Sequence, residues 1–290
     1  MPSLSRRTFL LASASAVALG ACGGGDDDDD GEDGVGASST TTAAEGMAIA
    51  RVFAPQQPVG RELRLPIALT DADGTIRREG VPATITYAYA GGAPIEVARH
   101  DEGIPTPYFP LAITIDAPGE VSVEVTAGDE TATTTIVGVD ATQVPAVPGP
   151  GDALIAVATP TTADARGVAP ICTREPACPF HDVTLEEAMA SGKAVAFLVS
   201  TPAFCQTAIC GPVLDLLIDR AAPHADVLAV VHAEVYTDDT ARTTTEGVQT
   251  YGLAWEPALF LAMPDGTITS RLDYTYDGVE LDAVLSRLVQ

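Results

Sequence analysis

The stretch Lys193-Ala194-Val195-Ala196-Phe197-Leu198-Val199-Ser200-Thr201-Pro202-Ala203-Phe204-Cys205-Gln206-Thr207-Ala208-Ile209-Cys210 decides the fold of the C-terminal half. Ala194 to Val199 is an unbroken apolar run, the pattern of a strand buried on both faces. Pro212 to Ala222 carries Val213, Leu214, Leu216 and Leu217 on one stripe and reads as a helix. Cys205 and Cys210 fall between the two. On a regular helix their Cα atoms would stand roughly 8–9 Å apart, beyond the roughly 4.4–6.8 Å of a disulfide. The segment Cys205 to Cys210 is therefore expected as a loop or loose turn. The regular helix would begin near Gly211, with Pro212 in its first turn.

Outward from this stretch the rhythm continues. Upstream, Thr184-Leu185-Glu186-Glu187 is a capping-box pattern that opens a short helix, and Gly192 closes it. Downstream, Val227 to Val235 is a second buried strand. Pro257 to Met263 and Thr267 to Leu272 flank the hairpin turn Pro264-Asp265-Gly266. Leu281, Val284, Leu285 and Leu288 mark a closing amphipathic helix. The order is β-α-β followed by β-β-α.

That order, with a cysteine pair just after the first strand, resembles the thioredoxin fold over roughly Val168 to Gln290. Cys205 stands where that family places its nucleophilic cysteine, and Glu256-Pro257 before Ala258-Leu259-Phe260-Leu261 looks like the family's strand introduced by a cis-proline facing the cysteines. Asp265-Gly266 follows at the matching distance. The resemblance implies thiol–disulfide exchange, with Cys205 as nucleophile, Cys210 as the thiol that resolves the mixed disulfide, and Pro257 beside them. The chemistry needs a thiolate, which the partial positive charge of a helix N-terminus stabilises. The chain departs from the family at three points. Four residues separate the cysteines instead of two, Phe204 replaces the tryptophan before the nucleophile, and apolar Leu198 or Val199 stands where the first strand carries a buried acid. Proton transfer is accordingly expected to be slow.

The N-terminal half reads differently. Leu63 to Leu69, Thr84 to Tyr89, Val121 to Val125 and Thr131 to Val139 belong to roughly seven short alternating strands between turn residues, at intervals of about ten, which suggests an immunoglobulin-like β-sandwich. Pro66 would suit an edge strand or a bulge better than a central strand. His100-Asp101-Glu102 reads as a solvated loop in preference to a metal site. Pro145-Ala146-Val147-Pro148-Gly149-Pro150-Gly151 is a semi-rigid linker.

At the start of the chain, Arg6-Arg7-Thr8-Phe9-Leu10 and the short apolar run to Leu19 form a charged n-region and an h-region too short for a bilayer span, which needs roughly 20 residues. The arginine pair resembles the twin-arginine export signal, and Leu19-Gly20-Ala21-Cys22 resembles a lipobox in which Cys22 is lipidated. Asp26 to Asp30, Glu32 and Asp33, followed by a Ser/Thr/Ala tract, cannot bury enough apolar surface to fold and read as a tether.

The whole chain has 290 residues, with 40 acidic against 15 basic. Without the two leader arginines and the seven acids of the tether the balance is 33 against 13, so the folded part is itself acidic. This excludes the clustered basic surface of a nucleic-acid binder and leaves membrane contact to the lipid on Cys22. Cys172, Cys178, Cys205 and Cys210 remain, an even number in a chain bound for a compartment that permits disulfides.

The expected organisation is a signal peptide at 1–21, a tether at 22–45, a β-sandwich at 46–140, a linker at 141–167 and a thioredoxin-like domain at 168–290. Cys172 and Cys178 are expected as a structural disulfide, and His232 as a structural residue. No metal and no cofactor are expected. The expected protein is a monomer anchored on the outer face of the cytoplasmic membrane, exchanging disulfides with envelope proteins that bear thiols or disulfides. The competing readings are a non-catalytic binding module stapled by disulfides and a peroxiredoxin-like peroxidase. Copper delivery would need a histidine where Trp255-Glu256 stands.

Overall fold

A computed structural model describes residues 46–288. Arg6, Arg7, Cys22 and the acidic tether lie outside the described residues. Among the described residues no helix is long and apolar enough to cross a membrane.

The N-terminal half contains β1 (Met47–Arg51), β2 (Gln56–Pro58), β3 (Glu62–Asp71), β4 (Thr84–Tyr89), β5 (Ile95–Ala98), β6 (Phe109–Thr114), β7 (Gly119–Ala127) and β8 (Glu130–Val139). They form two sheets, ordered β1-β3-β6 and β2-β8-β7-β4-β5. Strand alternation decides what fills the space between them. Leu63, Leu65, Ile67 and Leu69 of β3 and Phe109, Leu111 and Ile113 of β6 face Ile85, Tyr87, Val123, Val125 and Ile136 of the other sheet. Each such side chain contributes about 1.5–3 kcal/mol on burial. The Tyr87 hydroxyl crosses between the sheets, donating to the Ala112 carbonyl at 2.7 Å and accepting from the Ala112 N–H at 3.1 Å. The half is a β-sandwich.

Pro66 is not on an edge strand, because β3 is the central strand of its sheet. The Pro66 carbonyl accepts from Val52 N–H just past the end of β1, so the side of the residue that lacks a donor also points there, where the β1 ladder has stopped at Ile67. On the other side it faces Pro110 of β6. A central proline is tolerated because its missing N–H falls outside both ladders.

The C-terminal half contains α1 (Leu185–Ala190), β9 (Ala194–Val199), α2 (Cys210–Ala221), β10 (Leu228–Ala233), α3 (Glu246–Tyr251), β11 (Ala258–Ala262), β12 (Ile268–Asp273) and α4 (Gly278–Leu288). The sheet order is β10-β9-β11-β12, with β9 and β10 parallel and β11 antiparallel to both neighbours. Every residue of β9 is buried. Ala194, Ala196 and Leu198 pack with Leu214 and Leu217 of α2 and Leu281 and Leu285 of α4, while Val195, Phe197 and Val199 pack with Leu185 of α1 and Tyr251 of α3. The capping box of α1 forms as expected, with Thr184 and Glu187 satisfying each other's backbone N–H. Helix α3 was not among the expected elements.

Both sheet edges are covered. The stretch expected as a linker, 141–167, runs along β12: Gly151 N–H donates to Ile268, Ile268 N–H to Asp152 and Leu154 N–H to Gly266, while Val147, Leu154 and Val157 are buried in the core. Along β10, the loop 168–183 pairs Ala169 N–H with Thr237 and offers the Phe180 carbonyl to His232 N–H. An unpaired edge is thereby removed on each side.

The two halves touch. Arg64, on the outer face of β3, forms a bidentate pair with Glu280 of α4 and donates to the Asp273 and Thr275 carbonyls. His100 Nδ1 meets Asp277 Oδ1 at 2.8 Å, the Tyr108 hydroxyl donates to Glu280, and Glu102 pairs with Arg220 of α2. The sequence His100-Asp101-Glu102, expected in solvent, therefore belongs to this contact. Gly103, at φ +79°, comes so close that a Cβ there would stand 2.7 Å from a Leu216 methyl.

Candidate functional site

Cys205 lies in the turn between β9 and α2, and Cys210 is the first residue of α2. The chain between them is a loop, so the expected departure from helix is what the backbone does. Ala208 takes φ +55°, a left-handed conformation that turns the chain back on itself. The Cys205 sulfur consequently sits over the N-terminus of α2, accepting the Cys210 N–H at 3.4 Å. Cys205 is half-buried and Cys210 fully buried, and both are free thiols.

This geometry separates the two thiols electrostatically. Cys205 is pulled down to about 5, first by the Cys210 S–H donating to it and then by the Thr207 hydroxyl and the backbone N–H groups of Cys210 and Ile209, against the opposing effect of burial. Cys210 is pushed up by burial, and further by donating its S–H in a hydrogen bond to the Cys205 sulfur. The less buried sulfur is the anionic one.

Glu256 stands beside them. Its Oε2 accepts the Thr201 N–H at 2.7 Å and lies 3.5 Å from the Cys210 sulfur. Burial raises this carboxyl to about 8, and the negative charge of Cys205 adds to the rise. The first strand does lack an acid, as its sequence says, yet a carboxylate reaches the thiols from the position before Pro257. That pairing was missed because the residues are 46 apart in sequence. The available signal was an acidic residue next to the proline expected at the thiols. The Glu256–Pro257 peptide is cis.

A second cluster lies behind this one. Cys172 and Cys178, from the loop over β10, are free thiols and not a disulfide in this structure. His181 and His232 converge on them: Cys178 Sγ is 3.2 Å from His181 Nε2 and 3.4 Å from His232 Nδ1, and the two ring nitrogens are 3.3 Å apart. Cys172 Sγ is 4.0 Å from His232 Nδ1 and accepts the Cys178 N–H at 3.3 Å. His232 falls on this side because it alternates with Leu228 and Val230 on the face of β10 turned toward α2. These four residues are of metal-ligand type, and no metal site was expected from the sequence. The local signal was Cys178-Pro179-Phe180-His181, a Cys and a His at metal-ligand spacing, but the partner His232 comes from a distant strand.

Glu234 ties the two clusters together. This buried carboxyl, raised by desolvation, accepts from Thr173 N–H at 2.6 Å and from the Thr201 hydroxyl. The Thr173 hydroxyl in turn accepts from Ala203 N–H at 3.1 Å, so the residue after Cys172 is bonded to the turn that leads into Cys205.

Fold and site together define a β-sandwich joined to an α/β half that carries two thiol clusters. No protein-family model matches the chain, and no curated protein matches it. Among solved structures it is similar to a Lin-41 filamin domain (13% identity, TM-score 0.24, 33% of this chain and 94% of that one). It is also similar to the ZirS C-terminal domain (16%, TM-score 0.22, 45% and 99%). A third is the CARDB domain of a Pyrococcus furiosus protein in complex with di-metal ions (13%, TM-score 0.19, 32% and 86%). The sandwich is established here by its own two sheets.

Proposed function

We propose that the protein is a lipid-anchored, extracytoplasmic thiol–disulfide oxidoreductase, in which an immunoglobulin-like sandwich carries a thioredoxin-like domain. The observation that carries this reading is the asymmetry of the pair: an accessible Cys205 sulfur held anionic over a helix N-terminus, and a buried, protonated Cys210 directly behind it. The Cys205 thiolate attacks a substrate disulfide, forming a Cys205–substrate bond and expelling the substrate's other sulfur as thiolate. Cys210 then attacks Cys205, giving the Cys205–Cys210 disulfide and releasing the second substrate thiolate.

Glu256 accounts for the proton that Cys210 must lose. While Cys205 is a thiolate, burial first and that charge second hold Glu256 protonated near neutral pH. Once Cys205 is in the mixed disulfide that charge is gone, the carboxyl gives up its own proton to solvent more readily, and the resulting carboxylate accepts the Cys210 proton across the 3.5 Å contact. The base is thus switched on at the step that needs it.

Cys210→Ser should trap Cys205 in mixed disulfides with envelope proteins, seen on non-reducing gels and by mass spectrometry, and Cys205→Ser should trap none. Absence of Cys205 adducts in the first variant would leave a stapled binding module. Thiol consumption only in the presence of peroxide, with sulfenic acid on Cys205, would make the domain a peroxidase.

A further inference from the structure

We propose that Cys172, Cys178, His181 and His232 form a closed, tetrahedral zinc site that fastens the loop 168–183 to strand β10. The inference stands apart from the chemistry at Cys205 and Cys210.

Geometry is the first argument. The four donor atoms, two Sγ, His181 Nε2 and His232 Nδ1, all lie within 4.8 Å of one another. Zinc bonded to sulfur at about 2.3 Å and to nitrogen at about 2.0–2.1 Å in a tetrahedron sets its donors about 3.3–3.8 Å apart. The separations of 3.2, 3.3, 3.4 and 4.0 Å are four of the six edges of such a figure to within about half an ångström, and the other two are no longer than 4.8 Å. A two-iron cluster spreads its ligand pairs over two metal atoms, and this group has room for one.

The second argument is orientation. His232 Nε2 lies 3.0 Å from the Ser200 carbonyl and 3.1 Å from the Ser200 hydroxyl. A carbonyl only accepts, so Nε2 carries the proton and Nδ1 presents a lone pair to the centre of the group. This is the outer hydrogen bond that metal-bound histidines make. Toward the same point come two sulfurs and a second ring nitrogen. A disulfide between Cys172 and Cys178 would leave His181 Nε2, at 3.3 Å, as the one group able to give that lone pair a proton, whereas a cation satisfies all four donors at once.

Burial and charge give the third argument. The four residues are between 0% and 6% exposed, which leaves no open coordination position and marks the site as structural. Two thiolates neutralise a divalent ion, so the filled site is neutral in an apolar setting. Two sulfur and two nitrogen donors in a tetrahedron favour zinc over the oxygen-seeking cations and over copper(II) with its flattened geometry.

The test uses the full-length protein, purified under nitrogen without chelators and incubated with zinc. One zinc per chain is expected by emission spectroscopy, retained in a Cys205→Ser/Cys210→Ser variant and lost in Cys178→Ser and His232→Gln. Cobalt(II) in place of zinc should give the intense visible bands of a tetrahedral thiolate site. Alkylation of Cys172 and Cys178 should rise at least tenfold when a strong chelator is added. Should the ligand variants fail to fold, the cobalt spectrum and the chelator-dependent alkylation of the unaltered chain decide. Failure to bind zinc, a Cys172–Cys178 disulfide found by mass spectrometry in the purified chain, zinc lost only with Cys205 and Cys210, or an octahedral cobalt spectrum would each overturn the proposal.

Discussion

Cys205 and Glu256 make opposite demands on pH. The Cys205 thiol, at about 5 in the fold, is near 8.5 in an unfolded chain. Its contribution to the stability of the reduced protein is complete above about 8.5 and is lost as pH falls through about 5. Alkylation of the reduced protein should therefore be fast and confined to Cys205 at pH 7, with a midpoint near 5; equal labelling of Cys210 would reverse the roles of the two thiols. Glu256→Gln keeps the shape and removes the proton acceptor. It should leave Cys205 alkylation intact and slow release of a preformed mixed disulfide on the order of 10²-fold, as followed by rapid quenching. An unchanged release rate would remove Glu256 from the mechanism.

At the scale of the element, the turn into α2 sets the chemistry, because the Cys205 sulfur must reach a helix whose first residue is Cys210. The left-handed Ala208 makes that reversal. Such a conformation costs an L-residue roughly 1–2 kcal/mol and a β-branched residue more. Ala208→Val adds the β-branched excess to a cost alanine already bears, so it should lower the denaturant midpoint of the reduced protein and raise the alkylation midpoint of Cys205. Ala208→Gly should leave the midpoint where it is, since glycine takes the same conformation without strain. If valine leaves both readings unchanged, the turn does not hold the sulfur on the helix.

For the whole molecule, the sandwich is more than a spacer, because its outer sheet face is bonded to α4. Arg64→Ala would leave the largely buried Glu280 carboxylate with the Tyr108 hydroxyl in place of its cation. Losing one partner of such a pair costs up to about 3–5 kcal/mol, so the contact between the halves should open, seen as faster proteolysis at the exposed stretch 140–146, ahead of the part held on β12. The His100–Asp277 pair adds a pH dependence. The bond to Asp277 raises His100, so its contribution is present below about 6.5 and lost as pH rises through the raised value. Burial alone would raise Asp277, but bonds from His100 and from the Glu280 and Glu102 N–H groups outweigh it, and its contribution fades only as pH falls through a value below the ordinary one. Docking should be tightest in weak acid and loosen above neutrality, and His100→Gln should flatten that profile in the same proteolysis assay.

The sequence by itself determined the local elements. The apolar run Ala194 to Val199, the Thr184 capping box, the Asp265-Gly266 hairpin and the stripe of Leu281, Val284, Leu285 and Leu288 are patterns within a few residues, and each became the element it promised. The need for one of Cys205 and Cys210 to leave the helix also followed from spacing alone, and Cys205 is the one outside it. Tertiary structure decided what depends on distant partners. It placed Glu256 at Cys210, gathered His181 and His232 around Cys172 and Cys178, and turned His100 and Glu102 from a loop into a contact between halves. It also drew the Pro/Gly-rich stretch before 168 onto the edge of β12, where unpaired strand groups supply hydrogen bonds that composition does not reveal. Local pattern records which backbone shape a segment prefers, whereas side chains tens of residues apart meet only where sheet order and register carry them.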